Sequence, residues 1–156
     1  MESKSKFLGH PLHPILIVVP LGLLSASLFF DLRSKLRKNP DDAKISRALI
    51  GGGVLSGLVA ALPGLWDYLH IPNGTRAKAI GTAHGAGNVV MLSLFALSWK
   101  LRRPNETQPS TRAVALSVLA ATLSGFTGWL GGELVYRLGV GVDKDANLNA
   151  DSSLEN

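Results

Sequence analysis

Four long apolar segments constrain this chain more than any other feature of its sequence. Each is close to the ~20 residues that a helix needs to cross the hydrocarbon core of a bilayer. They cover residues 14–32, 49–69, 79–99 and 113–136. The composition agrees, because 46% of the 156 residues are hydrophobic and only 17% are charged. The sequence therefore predicts an all-α integral membrane four-helix bundle over residues 1–143, followed by a polar, flexible tail over residues 144–156.

The basic residues indicate how such a bundle would be oriented. An even number of spans places both termini on the same side of the membrane. The loops 33–47 and 100–112 hold ten lysines and arginines, whereas the opposite side holds six. Because short cytoplasmic loops carry an excess of positive charge, we expect these two loops in the cytoplasm and both termini on the outer side. Basic residues used in this way do not form a nucleic-acid surface, so no nucleic-acid partner is expected.

The chain contains no cysteine. Disulfides, iron–sulfur ligation and thiol catalysis are therefore excluded, and histidine, carboxylate and backbone groups remain as candidate ligands.

Small residues at regular spacing indicate where the helices could approach one another. Three of the four segments carry two glycines that are four residues apart, and such pairs let helix backbones pack closely in lipid. The pairs are Gly53 and Gly57, Gly81 and Gly85, and Gly128 and Gly132. These faces predict close packing within the bundle, self-association, or contact with another membrane protein.

The two halves of the sequence also show a weak similarity to each other. The first and third segments begin near a histidine, and the second and fourth end in clusters of glycine, tryptophan, an acid and tyrosine, beginning at Gly64 and Gly128. A true repeat would mean two helical hairpins related by an axis along the membrane normal. The spacings within the two clusters differ, which favours coincidence.

Histidines are the first candidates for chemistry. His10 and His13 lie in the motif Gly9-His10-Pro11-Leu12-His13-Pro14 at the entrance to the first segment. His84 lies about five residues inside the third segment, where an ionisable side chain is costly and usually faces the bundle interior. Asn88 lies one turn further on the same helix face. His70, beside Pro72, is expected at the membrane interface.

Acidic residues follow the same distribution. Asp67 closes the second segment, and Glu133 lies near the outer end of the fourth, with Arg137 one turn beyond it as the expected ion-pair partner. Asp31 lies at the opposite end of the first segment and is interpreted as an interfacial charge. Most intramembrane polar groups thus fall in the outer half, and this one-sided clustering indicates a site.

Two kinds of site fit these residues, and the sequence does not choose between them. A b-type haem requires imidazoles on facing helices and small residues that admit the macrocycle, with His13 and His84 as the axial pair and Arg76 or Arg137 near the propionates. A non-haem Fe, Cu or Zn ion requires three or four compact ligands. Those ligands would come from His10, His13, His84, Asp67 and Glu133.

Three blocks of sequence resemble a known family. They are Gly9-His10-Pro11-Leu12-His13-Pro14 with Pro20-Leu21-Gly22 and Asp31-Leu32, then Gly64-Leu65-Trp66-Asp67 with Gly74-Thr75-Arg76-Ala77, and Gly131-Gly132-Glu133-Leu134-Val135-Tyr136-Arg137 with Gly139-Val140-Gly141-Val142. Together with His84 and Asn88, they make residues 7–143 similar to the DUF2231 family of bacterial membrane proteins. The resemblance implies four spans in a bacterial inner membrane. Some members are joined to a Rieske-type iron–sulfur domain, which implies an electron-transfer setting; no activity is assigned to the family, so no catalytic residues follow.

The resulting hypothesis is a haem- or metal-binding component of electron transfer at the outer face of the membrane, with redox or other membrane proteins as its partners. The alternative is an accessory subunit of a larger membrane complex that has no cofactor of its own. The sequence does not decide whether the protein is an enzyme.

Overall fold

The computed structural model describes residues 1–102, 109–150 and 152 as a bundle of long helices. A short hairpin, β1 (Lys6–Phe7) and β2 (His10–Pro11), precedes the helices. The helices are α1 (Leu12–Leu16), α2 (Val18–Arg37), α3 (Pro40–Leu69), α4 (Arg76–Leu101) and α5 (Thr111–Gly132), and a π-helical turn, Glu133–Arg137, extends α5. Counting α1 with α2 and the π-helical turn with α5, four helices are long and apolar enough to cross a membrane. The predicted all-α, four-span architecture is confirmed.

Polar caps determine where three of the helices begin. The side chain of Asn39 accepts a hydrogen bond from the backbone nitrogen of Asp41, with Pro40 in the first turn of α3. Thr75 caps α4 and Ser110 caps α5 in the same way. Each cap satisfies one of the backbone N–H groups that a helix start leaves without an intrahelical partner.

Most of the predicted loop over residues 33–47 is helical. Only Lys38 and Asn39 separate α2 from α3, and the charged residues on either side belong to the helices. Hydropathy locates the lipid-crossing part of a helix, but backbone hydrogen bonding continues into charged turns beyond it. Of the second predicted loop, 100–112, residues 103–108 lie outside the described part of the chain; α4 continues to Leu101 and α5 begins at Thr111.

The bundle is built from two helical hairpins. α2 packs along most of α3, and α4 packs along most of α5, while α3 and α4 provide the main contact between the hairpins. Leu24, Ile50, Met91, Phe95 and Ala120 form a buried apolar cluster drawn from all four long helices. This cluster separates the two ends of the bundle, which both carry polar groups.

The predicted glycine pairs differ in whether they pack inside the bundle or lie on its surface. A methyl group added at Gly53 would lie 2.6 Å from Leu24, and one at Gly57 would lie 2.8 Å from Leu92, so this pair packs closely inside the bundle. An added methyl at Gly85 or Gly128 would meet no atom within 4 Å. Those two glycines contribute to the outer surface of the bundle.

The N-terminal segment and the segment that follows the π-helical turn lie together at one end of the bundle. The Met1 nitrogen donates to the Gly139 carbonyl at 2.8 Å, and the Gly141 nitrogen donates to the Met1 carbonyl at 2.8 Å. Glu2 accepts hydrogen bonds from Lys6 and from the backbone of Lys144. The hydrogen bond from Lys6 lowers the pKa of the Glu2 carboxyl group. The described start of the tail is therefore tied to the N-terminal segment.

Candidate functional site

His13 is held by a hydrogen bond between α1 and α3. Pro14 follows it within the first turn of α1, where a missing N–H costs nothing. The Nδ1 atom of His13 lies 2.8 Å from the Ala60 carbonyl oxygen. Because a carbonyl can only accept, Nδ1 carries the proton, and in a neutral imidazole Nε2 is then an unprotonated acceptor.

His84 is held in the same way by the second hairpin. Its Nδ1 atom donates to the Thr127 carbonyl oxygen of α5 at 2.8 Å. Its Nε2 atom accepts from the side-chain amide of Asn88, one turn along α4, at 3.0 Å. This geometry requires the same tautomer as in His13, with the Nε2 lone pair available to a donor or a metal.

The two imidazoles lie next to each other between the hairpins. Their ring centroids are 6.2 Å apart and their planes are at 89° to each other. Glycines keep space beside both rings, since an added methyl at Gly64 would lie 2.7 Å from Nδ1 of His13, and one at Gly131 would lie 3.2 Å from Cε1 of His84. The end of the bundle that holds this pair is called the histidine end below.

The two hairpins hold their histidines in the same way. In each hairpin the histidine bonds to a carbonyl of the following long helix, and a glycine one turn beyond that carbonyl borders the ring. Ala60 and Gly64 serve His13 in this way, and Thr127 and Gly131 serve His84. The sequence comparison set Gly64 against Gly128. The contacts instead relate Gly64 to Gly131, so the correspondence was not visible from the sequence clusters.

Asp67 serves as an anchor for the N-terminal segment. Its carboxylate accepts hydrogen bonds from the Ser3 hydroxyl at 2.7 Å and from the Lys4 backbone nitrogen at 2.6 Å. His10 lies in β2, exposed and outside α1. His70 is exposed at the end of α3, against Trp66. Within the described residues, no group of three or more histidines and acids is arranged to hold a metal ion.

Glu133 pairs with Arg76 rather than with the expected Arg137. The Arg76 guanidinium lies 2.6 Å from the Glu133 carboxylate, whose side chain is only 12% exposed. The prediction of a one-turn pair was wrong because α5 changes to a π-helical turn at Glu133, whose carbonyl accepts from Leu138. Arg76 at the start of α4 reaches Glu133 instead.

An open groove lies beside this ion pair. It has a volume of about 580 Å³ and is lined by Arg76, Trp129, Gly132, Glu133, Tyr136 and Arg137. Trp129 and Tyr136 are largely exposed, as is typical of aromatic side chains at a membrane interface. Two guanidinium groups and one carboxylate give the groove a net positive charge, which favours an anionic group.

The opposite end of the bundle also holds buried polar groups. Asp31, interpreted from the sequence as an interfacial charge, is 1% exposed and forms a bidentate ion pair with Arg102, at 2.5 Å and 2.7 Å. The expectation that the other half is nearly bare of buried polar groups was therefore wrong. Hydropathy placed Arg102 in a loop, and only the fold brings it to Asp31. The one sequence feature that could have linked the two charges is a serine one turn before each of them, at Ser27 and Ser98.

The comparisons with known proteins agree with this architecture. No curated protein and no solved structure matches the chain. Residues 9–144, which include the histidine pair, the groove and the buried ion pair, match the family described as "Predicted membrane protein (DUF2231)". The chain therefore belongs to the DUF2231 family of membrane proteins.

Proposed function

We propose that this protein is an electron-transfer component of a bacterial inner membrane and binds b-type haem through His13 and His84. The observation that carries the proposal is the pair of neighbouring imidazoles whose Nδ1 protons are both committed to backbone carbonyls. Metal-binding histidines usually have this arrangement, because the bond at one nitrogen orients the other towards the metal. Bound haem would supply an iron that accepts and releases one electron.

The two rings are close enough to share one ligand, since their centroids are 6.2 Å apart. Iron would be held by Nε2 of each ring, because both Nδ1 protons are committed to backbone carbonyls. Iron binding at Nε2 of His84 would displace the amide of Asn88, which occupies that lone pair at 3.0 Å. Asn88 would then be a stand-in partner that keeps the buried imidazole hydrogen-bonded when no iron is bound.

The groove supports a role for Arg76 and Arg137 towards the propionates. Both arginines line it, at the same end of the bundle as the histidines. Arg76 is 62% exposed and is paired with Glu133, so a propionate could share its guanidinium. Aromatic side chains at the rim would cover part of the macrocycle edge.

A non-haem metal ion is less well supported by the contacts. The remaining ligands of such a site would be His10, Asp67 and Glu133. His10 lies in the β-hairpin, Asp67 holds Ser3 and Lys4, and Glu133 holds Arg76. Haem needs only two protein ligands, and the neighbouring imidazoles of His13 and His84 would be enough to supply them.

A second candidate function is an accessory subunit without its own cofactor. It is favoured by Gly85, Gly125 and Gly128, which lie on the bundle surface with no atom within 4 Å of an added methyl group. In lipid such faces let another helix approach closely, from a partner protein or from a second copy of this chain.

Absorption spectroscopy on protein purified in mild detergent and titrated with hemin tests the proposal. We expect a Soret band and sharp bands on reduction, both lost in His13→Ala and in His84→Ala. His70→Ala is the matched control, because His70 also donates from Nδ1 to a carbonyl but lies exposed at the helix end, and it should keep the spectrum. Absence of hemin binding, or spectra indifferent to both core histidines, would contradict the proposal. A stoichiometric partner that remains bound after all four histidines are replaced would favour the accessory subunit.

A further inference from the structure

The ion pair at the end opposite the histidines connects all four long helices. Asp31 comes from α2 and Arg102 follows α4; Ser46 of α3 and Ser117 of α5 complete the cluster. Arg102 is 3% exposed and also donates to Ser98, one turn earlier on α4. The end of the bundle that holds this cluster is called the arginine end below.

The pair also occupies corresponding positions in the two hairpins. The offset along the sequence from Asp31 to Arg102 is the same as the offset from His13 to His84, and Ser27 and Ser98 are related by it too. Equivalent residues of the two hairpins therefore meet at both ends of the bundle, as a two-fold axis along the bundle would require. At the histidine end the two residues are identical, whereas at the arginine end they carry opposite charges.

Opposite charges at equivalent positions make the pairing of the hairpins selective. Two copies of the first hairpin would bring Asp31 against Asp31, and two copies of the second would bring Arg102 against Arg102. Both arrangements would bury like charges inside the protein, where each lacks an opposite charge, which is strongly unfavourable. Only the first hairpin with the second satisfies both charges, and only where the helices are aligned in one register.

We infer that Asp31 and Arg102 are a positioning pair, which fixes the register and rotation of the two hairpins and thereby keeps the imidazoles of His13 and His84 next to each other. The two ends are about 27 Å apart along α1 and α2, at ~1.5 Å per residue, and the helices between them transmit the alignment. The apolar cluster in between does not select a register as sharply, because apolar side chains gain little from leaving lipid. The pair has this role whatever the histidines bind.

Spin labels can measure the alignment directly at the histidine end. Val18 and Val89 are equivalent positions of the two hairpins and are 68% and 67% exposed, so each tolerates a labelled cysteine. The absence of native cysteines makes the labelling specific. In the labelled Val18→Cys, Val89→Cys protein, reconstituted in lipid nanodiscs, we expect a single narrow distance distribution between the labels.

Two double variants separate positioning from stability. Asp31→Leu with Arg102→Met should fold, because replacing a whole buried ion pair by apolar residues is often neutral for stability. We expect it to lose the single narrow peak. Asp31→Arg with Arg102→Asp exchanges the charges, keeps an attractive pair, and should restore the peak.

A second acid–arginine pair provides the matched control. Asp42 is buried and pairs with Arg33, but both residues belong to the first hairpin. Replacing them by Leu and Met should leave the label distance unchanged. A narrow, unshifted peak in the apolar double variant of Asp31 and Arg102 would overturn the inference. If that variant does not fold, the charge-exchanged variant decides: a protein that lacks the single narrow peak would overturn the inference as well.

Discussion

Replacing Gly64 by alanine tests the packing that holds His13. The added methyl would lie 2.7 Å from Nδ1, 3.0 Å from Cε1 and 3.1 Å from Cγ of the imidazole. Carbon atoms do not approach so closely, so the ring must move. Its Nδ1 proton then leaves the Ala60 carbonyl, with which it forms a 2.8 Å hydrogen bond.

The expected loss of stability in Gly64→Ala combines three effects. A lost hydrogen bond costs about 1 kcal/mol and overpacking costs about 1–3 kcal/mol, while alanine gains roughly 0.5–1 kcal/mol over glycine inside a helix. We therefore expect Gly64→Ala to lower the free energy of unfolding by about 1–3 kcal/mol. Haem or metal affinity at His13 should fall as well, because the ring loses its orientation.

Two other glycines provide a graded comparison. An added methyl at Gly131 would lie 3.2 Å from Cε1 of His84, so a smaller movement relieves it and the loss should be smaller than at Gly64. At Gly85 nothing lies within 4 Å, and alanine should be neutral or slightly stabilising.

Reversible unfolding in mild detergent, followed by tryptophan fluorescence, ranks the three variants. Nitrogen-15 NMR of the histidine side chains reports whether the Nδ1 proton of His13 keeps its hydrogen bond. This account of the packing would be refuted if Gly64→Ala had the same free energy of unfolding as the wild type and an unchanged Nδ1 signal. It would also be refuted if Gly85→Ala lowered the free energy of unfolding as much as Gly64→Ala does.

The remaining predictions concern the arginine end and the N-terminal segment. Ser34 is fully buried, and its hydroxyl has no hydrogen-bond partner among the described residues, so Ser34→Ala should be neutral or stabilising by up to about 1 kcal/mol. Ser98→Ala should cost about 1–3 kcal/mol in the same unfolding assay, because it removes an acceptor from the buried Arg102 and a hydrogen-bond partner from Ser117; equal effects of the two changes would contradict this. Asp67→Asn should speed amide hydrogen exchange over residues 1–11, since it removes a carboxylate that accepts two hydrogen bonds there; unchanged exchange would show that Asp67 is not the anchor. The pKa of Glu2 is lowered in the folded protein from its ordinary 4.5, so its contribution to docking this segment is present above that pH and is lost as the pH falls through the lowered value. Exchange protection should drop accordingly, and Glu2→Gln should remove that drop.

The sequence by itself determined the class of protein and much of its histidine end. Apolar segments of membrane-spanning length leave few structures other than helices, because backbone groups in lipid must bond within their own segment. The cost of burying an imidazole in lipid singled out His84, and the proline-flanked motif singled out His13. These are local properties, so they can be read without knowing which helices are neighbours.

Tertiary structure decided which of these residues meet. The carbonyls of Ala60 and Thr127 are invisible as partners in the sequence, since every residue carries one, and only helix packing selects them. The π-helical turn likewise redirected Glu133 to Arg76. Asp31 and Arg102 lie far apart in the sequence, at the charged ends of two helices, where hydropathy predicts exposure to water. Packing of four helices encloses them, because opposite charges and serine hydroxyls satisfy one another there without water.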